Sequence, residues 1–519
     1  MSWSSKHQGI SEFFHNKLGI TGLAIIVFFT FTALCAPLLT SNSPNQIYVT
    51  GPWAVPQWAT AFPQYSDLPS NMLVTSADLA NWRITTASST QATPQQVALP
   101  ASALNGLGFK FDPREALLIS SAVPYSAKTF SGETVASLSY NFTYEYKPPY
   151  DFTFGDIIYV ANVSNVADFY FRFILSGPSG TYKLTSYAIM SNSPVEVISY
   201  RNGIPVGRWY DISLSNVLPD VNTAALGPSG STAVDSGQIF LAKKGIYNYT
   251  VQLVVIPQQG ETAFVKVYME PAYFHVLGRA YGLLGSDDKG RDLWSQFVYG
   301  SRISIEVGLL ASAATVIIGT FLGLFSAIEG GVLDEFWMRV ADVILVLPFL
   351  PLAIVVLFVF TQSPVVQKDP SILYIWLVVL FSVLSWPGLA RVIRSQALSL
   401  KERGYVEAAR ALGAGKLYIM NKHLLPNIMG LVYANLALSV PGFILTEASL
   451  DFLFPNASTI PTWGRMIAKA YEHAASATAY GFGWWWFLFP GLAIVLLSLA
   501  FVLLGYALDE IFNPRLRKR

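Results

Sequence analysis

The sequence predicts a polytopic α-helical membrane protein that carries a large β-rich domain after its first membrane-spanning helix. Three observations predict this fold. Hydrophobic residues make up 52% of the 519 residues, and charged residues only 13%. The apolar residues concentrate in runs of about 20, the length that crosses a bilayer as a helix. About 240 residues between the first two runs instead have the strand patterns of a β domain.

Six apolar runs are long enough to span a lipid bilayer. They lie at residues 19–40, 302–327, 338–361, 372–394, 426–450 and 484–508. The first run follows Lys6 and Lys17, as the core of a signal peptide would. It is longer than such a core, so we interpret it as an uncleaved anchor helix. Cys35 is the only cysteine of the sequence, which excludes an intramolecular disulfide.

The positions of lysine and arginine predict which loops face the cytoplasm. Seven basic residues lie between positions 391 and 422, and four more lie in the last five residues of the sequence. We therefore expect a multi-pass plasma-membrane protein with both termini in the cytoplasm and residues 41–282 outside the cell. The loop at 328–339 is acidic and does not support this orientation by itself. A net charge of +1 gives no indication of nucleic-acid binding.

The insert at 41–282 divides into two parts by composition. Residues 41–115 are rich in Pro, Ser, Thr, Gln and Ala and predict irregular structure. From about residue 116 onward, short β-forming runs separated by turns predict an antiparallel β-sandwich. The pair Asn202-Gly203, between two such runs, is typical of a two-residue hairpin turn. The insert holds one histidine, His275, and no cysteine, and the spacing of its carboxylates predicts no catalytic site.

Four glycosylation sequons fall on the side predicted to be external. Their acceptors are Asn141, Asn162 and Asn248 in the insert, and Asn456 in the loop after the fifth span. Such triplets also arise by chance in a Ser/Thr-rich region, and both interpretations remain open.

The segment at 402–427, between the fourth and fifth spans, has the pattern of a helix, a sharp turn and a second helix. Glu402 to Leu412 consists largely of helix formers. Gly413 can end that helix with a positive φ, and Pro426 fits the first turn of the next helix. Alanines give the first short helix a small-residue surface that a partner protein could approach closely.

This segment resembles the EAA loop of ABC importer permeases. The residues that match the family pattern at its spacing are Glu407, Ala408, Ala409, Gly413, Ile419, His423, Leu425, Pro426 and Asn427. The resemblance implies the type I ABC importer permease fold. It also implies that the short helix around Glu407 is a coupling helix that docks in a groove of an ATPase subunit.

A second stretch, residues 284–305, is similar to the segment before the second span in dipeptide/oligopeptide/nickel permeases, C-type subunit. The family pattern there includes Leu-Gly-Thr-Asp and Gly-Arg-Asp. Ser286 and Gln296 depart from it without disturbing the register. The resemblance covers residues 1–40 and about 280–519, so the domains expected are 1–40, the insert 41–282 and a permease core 283–519.

The resemblance implies a second permease subunit, two ABC ATPases and an extracellular solute-binding protein as partners. The sequence has no Gly-x4-Gly-Lys-Ser/Thr phosphate loop, because Gly413-Ala-Gly-Lys416 is followed by Leu417. We therefore expect no cofactor in this chain, with ATP and Mg bound by the partner ATPases, and no enzymatic activity of its own.

Several ionisable residues fall in or near the spans, where charge is costly and often functional. Glu447, late in the fifth span, is a candidate for the translocation pathway or an outer gate, with a structural partner as the alternative. Asp342 and Arg339 are candidates for a gate or for a helix-packing pair. Arg302 and Glu306 lie four residues apart and are expected to pair along one helix face. Three glycines in the second span, Gly308, Gly319 and Gly323, predict close helix packing.

The predicted function is that of a permease subunit that forms half of a translocation pathway for peptides or a similar small solute. Oligosaccharides or nickel are alternative substrates of the same importer type. A surface receptor or adhesin that acts through the insert is an alternative of another class, against which six spans and a coupling loop argue. A secondary transporter would need no coupling loop, and an ecto-enzyme would need a catalytic constellation.

Overall fold

The computed structural model describes residues 16–47, 49–74, 79–95, 116–126, 132–149, 151–187, 194–195, 209–214, 218–219, 240–269, 273–454, 460–473 and 483–512. The chain forms two compact units. Ile47–Arg291 form one, here called the β unit; Met1–Gln46 and Asp292–Arg519 form the other, here called the membrane unit.

The described part of the membrane unit is helical. Its helices are α1 Lys17–Leu34, α2 Ala36–Leu39, α3 Leu293–Glu329, α4 Gly331–Val346, α5 Phe349–Thr361, α6 Pro364–Lys368, α7 Ile372–Lys401, α8 Gly404–Ala411, α9 Lys416–Ile419, α10 Leu425–Leu453, α11 Trp463–His473 and α12 Trp484–Phe512. A π-helical segment, Met420–Leu424, joins α9 to α10.

Five helical stretches of the described residues are long and apolar enough to cross a membrane: α1, α3, α7, the stretch Lys416–Leu453 and α12. The third predicted span, 338–361, is not one helix, because α4 and α5 meet at a bend of 84°. Leu347, between them, has an extended backbone (φ −66°, ψ 132°). The ring of a following proline disfavours helical geometry at the preceding residue, so Pro348 accounts for the break. Pro387 and Pro441 lie inside α7 and α10 without ending them.

Helix α3 packs closely against α7 and α10 through its glycines. A Cβ on Gly323 would lie 2.5 Å from the carbonyl oxygen of Ala390, and one on Gly319 would lie 3.1 Å from that of Trp386. A Cβ on Gly308 would lie 2.6 Å from the side chain of Ile444. The prediction of close helix approach at these three glycines is confirmed.

The β unit contains fourteen strands among its described residues. They are β1 Met72–Val74, β2 Arg83–Thr86, β3 Thr90–Gln95, β4 Ala116–Pro124, β5 Glu133–Tyr144, β6 Asp151–Ser164, β7 Val166–Gly177, β8 Gly180–Tyr187, β9 Pro194–Val195, β10 Trp209–Leu214, β11 Leu218–Pro219, β12 Gly245–Pro257, β13 Thr262–Met269 and β14 Tyr273–Leu277. Two short 3₁₀ helices, Gln57–Ala61 and Leu79–Asn81, precede β2.

The strands form two seven-stranded sheets. One has the order β1-β14-β6-β13-β4-β3, with β10 beside β6, and the other β11-β8-β7-β12-β5-β2, with β9 beside β8. Every pairing between these strands is antiparallel. Alternate side chains of β13, from Ala263 to Met269, are buried, as in a sheet with one covered face. Apolar residues of both sheets form one core that includes Phe152, Phe171 and Tyr249.

The prediction of irregular structure over residues 41–115 is wrong for residues 72–74, 83–86 and 90–95, which form β1, β2 and β3. These strands are short, and each lies at the end of a sheet order. They are also poor in the alternating apolar residues by which half-buried strands are recognised, since β3 is mostly exposed and β2 has no buried residue. The hairpin predicted at Asn202-Gly203 lies outside the described residues.

Candidate functional site

The segment predicted to couple to the ATPases, residues 402–427 and here called the coupling loop after that prediction, is built around the short helix α8. The helix follows Arg403, whose backbone is extended (φ −78°, ψ 139°). It ends at Ala411, and Gly413, two residues further on, has a φ of +88°. The amide of Gly413 donates to the carbonyl of Arg410 at 3.0 Å, and that of Ala414 donates to the carbonyl of Ala409 at 3.0 Å. These two bonds form a Schellman motif, which favours glycine at the left-handed position.

One face of the coupling loop packs into the membrane unit. Val406, on α8, has no exposed surface. It belongs to an apolar cluster with Ile419, Met420 and Leu424 from the rest of the loop. Ile328 of α3 and Ile393 of α7 belong to the same cluster. Burial of these side chains therefore holds α8 against α3 and α7.

The opposite face of the coupling loop is exposed and partly apolar. Glu407 and Ala408 are exposed on α8. Leu412 is 89% exposed, Leu417 is 70% exposed, and Tyr418 is 55% exposed. These three residues give the short segment an exposed apolar surface. The sequence pattern indicated the alanines of this segment but not the three larger apolar residues, because only the fold distinguishes them from the buried Val406.

The C-terminal end of the coupling loop leads into α10, and its residues make local contacts there. The His423 ring lies against two tyrosines, with ring centroids 6.0 Å from Tyr405 and 5.7 Å from Tyr418. Asn427 Nδ2 donates to the carbonyl of His423 at 2.6 Å. Leu425 begins α10 and Pro426 lies in its first turn. Proline has no N–H for the carbonyl four residues earlier, and the chain is π-helical just before it.

The charged residues near the loop pair differently from the prediction. Asp342 of α4 pairs with Arg391 of α7. Arg339 pairs with Glu335, one turn earlier on α4, at 3.5 Å. The predicted helix-packing pair between Asp342 and Arg339 is therefore not formed, and a gate role for either residue stays a prediction.

The ion pair predicted along one face of α3 is confirmed. Arg302 Nε lies 2.9 Å from Glu306 Oε1, and both side chains are exposed. Since exposed pairs of this kind contribute little, the pair orients two side chains and adds little to the stability of the helix.

Glu447 is fully buried on α10. Ser304 Oγ of α3 donates to its Oε2 at 3.2 Å. One helical turn further on, Asp451 accepts a hydrogen bond from the hydroxyl of Thr462. These contacts join α10 to α3 and to the start of α11, which favours the structural alternative for Glu447. A role in the translocation pathway stays a prediction.

Two of the predicted glycosylation acceptors lie side by side. Asn248 of β12 is directly opposite Asn141 of β5, and its Nδ2 donates to Asn141 Oδ1 at 2.7 Å. Asn162 is exposed on β6, and Asn456 lies outside the described residues. No group of three or more His, Cys, Asp or Glu side chains in the described ranges could hold a metal ion.

The described residues of the membrane unit include five candidate membrane spans, one bent pair of apolar helices and a short helix on the loop between two spans, which is the architecture of a polytopic membrane protein. Two family profiles match the chain. Residues 7–54 match the N-terminal TM domain of oligopeptide transport permease C. Residues 319–518 match the binding-protein-dependent transport system inner membrane component.

Curated relatives agree with these profiles. The chain is 33% identical over 235 residues to the dipeptide transport system permease protein DppC of Bacillus subtilis, covering 45% of this chain and 69% of the relative. It is 34% identical over 262 residues to the DppC protein of Haemophilus influenzae, covering 50% of this chain and 82% of the relative. The chain belongs to the family of binding-protein-dependent transport system inner membrane components, the permease subunits of ABC importers.

Solved structures resemble the chain only weakly. A family 11 carbohydrate-binding module from Clostridium thermocellum has 9% identity and a TM-score of 0.20, over 41% of this chain and 99% of the module. Likeness at this level supports no conclusion about the fold or the ligand of the β unit.

Proposed function

We propose that this chain forms half of the translocation pathway of a peptide importer and couples it to ATP hydrolysis through the coupling loop. The observation that carries the proposal is the two-sided structure of that loop. Val406 fixes one face of α8 in the membrane unit, while Glu407, Leu412 and Leu417 are presented on the other. A rigidly mounted, exposed apolar surface is what a partner subunit needs for docking.

Peptides are the proposed substrate class because the relatives are dipeptide and oligopeptide permeases by name. Oligosaccharides or nickel remain alternatives of the same importer type. A receptor or adhesin is disfavoured, because such a protein needs neither the six spans nor a preformed coupling loop.

In the proposed orientation both termini and the coupling loop are cytoplasmic, and the β unit is an extracellular β-sandwich. The basic residues between positions 391 and 422 support this orientation, since lysine and arginine concentrate in cytoplasmic loops. The external side would then hold the sequons Asn141, Asn162 and Asn248.

The proposed mechanism is mechanical and breaks no bond in this chain. Two partner ATPases bind ATP and Mg, close on each other and displace α8. The displacement switches the cavity between this chain and a second permease subunit from inward to outward access. An extracellular solute-binding protein delivers the substrate to the outward-open state.

Retention of the ATPase subunits tests the docking surface. The full-length chain, carrying an affinity tag, is co-expressed with its second permease and ATPase subunits. The variant Leu412→Ala, Leu417→Ala removes two exposed apolar side chains from the coupling loop. We expect it to retain at least about tenfold less ATPase, since truncating two central interface side chains at about 1 kcal/mol each costs about 2 kcal/mol and about 1.4 kcal/mol corresponds to a factor of ten.

The matched control is Val332→Ala, Leu333→Ala, which truncates two exposed apolar side chains of α4 outside the coupling loop. This variant should retain the ATPases as the unaltered chain does. Equal retention by both variants would show that the ATPases do not dock on the coupling loop.

A further inference from the structure

Both ends of the segment 402–415, which contains α8, are bound to the same helix end. Lys401, the last residue of α7, donates from Nζ to the carbonyl of Ala327 at 2.8 Å and to that of Ile328 at 3.4 Å. Lys416, the first residue of α9, places its Nζ 2.8 Å from Glu329 Oε2. Ala327, Ile328 and Glu329 are the last three residues of α3. Both ends of the segment are therefore bound to the C-terminal end of α3.

The chemistry of a helix end explains the first contact. The last four carbonyls of an α-helix have no amide donor within the helix, and this end carries a partial negative charge. The carbonyl of Ser326 is satisfied by the amide of Gly330 at 3.1 Å. The ammonium of Lys401 supplies donors to the next two carbonyls, so this lysine from another helix completes the end of α3.

The helix that carries Lys401 is itself fastened in place. Arg394 of α7 forms two hydrogen bonds of 2.6 Å with the carboxylate of Asp334, in the first turn of α4. Such a two-point arginine–carboxylate pair fixes direction as well as distance. At Gly319 and Gly323, backbone carbonyls of α7 approach the backbone of α3 directly, so the two helices pack closely. A force on the end of α3 therefore moves α3 and α7 together.

We propose that Lys401 and Lys416 form a clamp that transmits displacement of α8 into α3, as positioning residues for the coupling of ATP hydrolysis to the transport cycle. This inference rests on the proposed function, because it takes α8 to be the element that the ATPases move. With both ends of the segment tied to α3, α8 cannot swing without pulling that helix. Through Gly308 and Ser304, α3 in turn contacts Ile444 and Glu447 of α10.

The Lys416 half of the clamp contributes little to folding. Lys416 is mostly exposed, and exposed ion pairs contribute little to stability. Val406 and the apolar cluster around it hold α8 in place without either lysine. Loss of the clamp should therefore leave the complex assembled. It should weaken only the transmission of motion from α8 to α3.

The test is ATP hydrolysis and uptake of a radiolabelled tripeptide by the full complex in proteoliposomes, with the solute-binding protein purified with its native cargo. The variant is Lys401→Met, Lys416→Met, which keeps side-chain length and removes both ammonium groups. The control is Lys368→Met, at an exposed lysine at the end of α6, outside the coupling loop. We expect normal assembly and basal hydrolysis per complex, while uptake and stimulation by the binding protein fall by about tenfold, within the usual range of a lost coupling between sites.

Two rescue variants distinguish a role of the lysines in coupling from a role in stability alone. Lys401→Arg keeps the charge and the donors and should restore stimulation in a chain with native Lys416. The exchange Glu329→Lys, Lys416→Glu restores an opposite-charge pair with its ends swapped and should recover more stimulation than Lys416→Glu alone.

Two other outcomes have different meanings. If the Met variant assembles and is stimulated as the unaltered complex is, or if stimulation falls only in proportion to assembly, the clamp is overturned. If the unaltered complex binds no ATPase or shows no stimulation, the proposed function itself fails. If hydrolysis is stimulated in the unaltered complex but no tripeptide is taken up, only the peptide assignment fails, and stimulation still tests the clamp.

Discussion

Val406 is the side chain whose truncation tests most sharply how α8 is held. It is fully buried in the cluster that joins the coupling loop to α3 and α7. The change Val406→Ala removes two methyl groups' worth of apolar burial, about 1.6 kcal/mol at about 0.8 kcal/mol each. The cavity left behind raises the cost to about 2 kcal/mol. Since 1.36 kcal/mol corresponds to a factor of ten, α8 should open about 30-fold more often.

Hydrogen exchange of the α8 amides, measured on the full-length chain in detergent micelles, reads this opening directly. The matched control is Leu412→Ala, which truncates an apolar side chain at the exposed C-terminal end of α8 and should leave exchange within about twofold of the unaltered chain. Equal exchange in both variants would refute the argument that burial of Val406 holds the helix.

Three further predictions concern backbone conformation, helix packing and pH. Gly413→Ala should destabilise α8 by about 1–2 kcal/mol because φ is +88°, whereas Gly415→Ala, at φ −69°, should not; exchange of the α8 amides compares them. Gly323→Ala should lower the thermal midpoint because its Cβ would lie 2.5 Å from a backbone oxygen, while Gly388→Ala, with open space around it, should not lower it. Burial lowers the pKa of His275 below 6.5, so the unfolded chain binds the proton more readily and stability is lost as pH falls below that value. Rate-corrected exchange of β14 should therefore speed up at acidic pH, and His275→Gln should weaken this dependence.

The membrane-spanning helices and the end of α8 could be predicted from the sequence because each depends on a local pattern of residues. Apolar runs of about 20 residues located the helices. The glycine at 413 ended α8 where the sequence predicted, since no other residue adopts a positive φ as cheaply. The close packing at Gly323 was also predictable, because a small residue in a span has few other uses.

The contacts that the sequence did not predict share a cause, which is that they join residues distant in sequence. Asp342 pairs with Arg391, which follows it by 49 residues, instead of with Arg339 on its own helix. The ties of Lys401 to α3 span 74 and 73 residues and have no local signature. The bend at Pro348 could not be told from the presence of proline alone, since Pro387 and Pro441 lie within helices that continue past them.

The most direct test of the coupling function is ATP hydrolysis by the purified complex of this chain with its partner subunits. The unaltered complex is compared with one that carries Glu407→Ala, Gly413→Pro, which changes an exposed residue of α8 and breaks its C-terminal cap. We predict that the binding protein stimulates the unaltered complex and that this stimulation collapses in the variant. Stimulation of both complexes to the same extent would contradict the account, and so would a purified complex without ATPase activity.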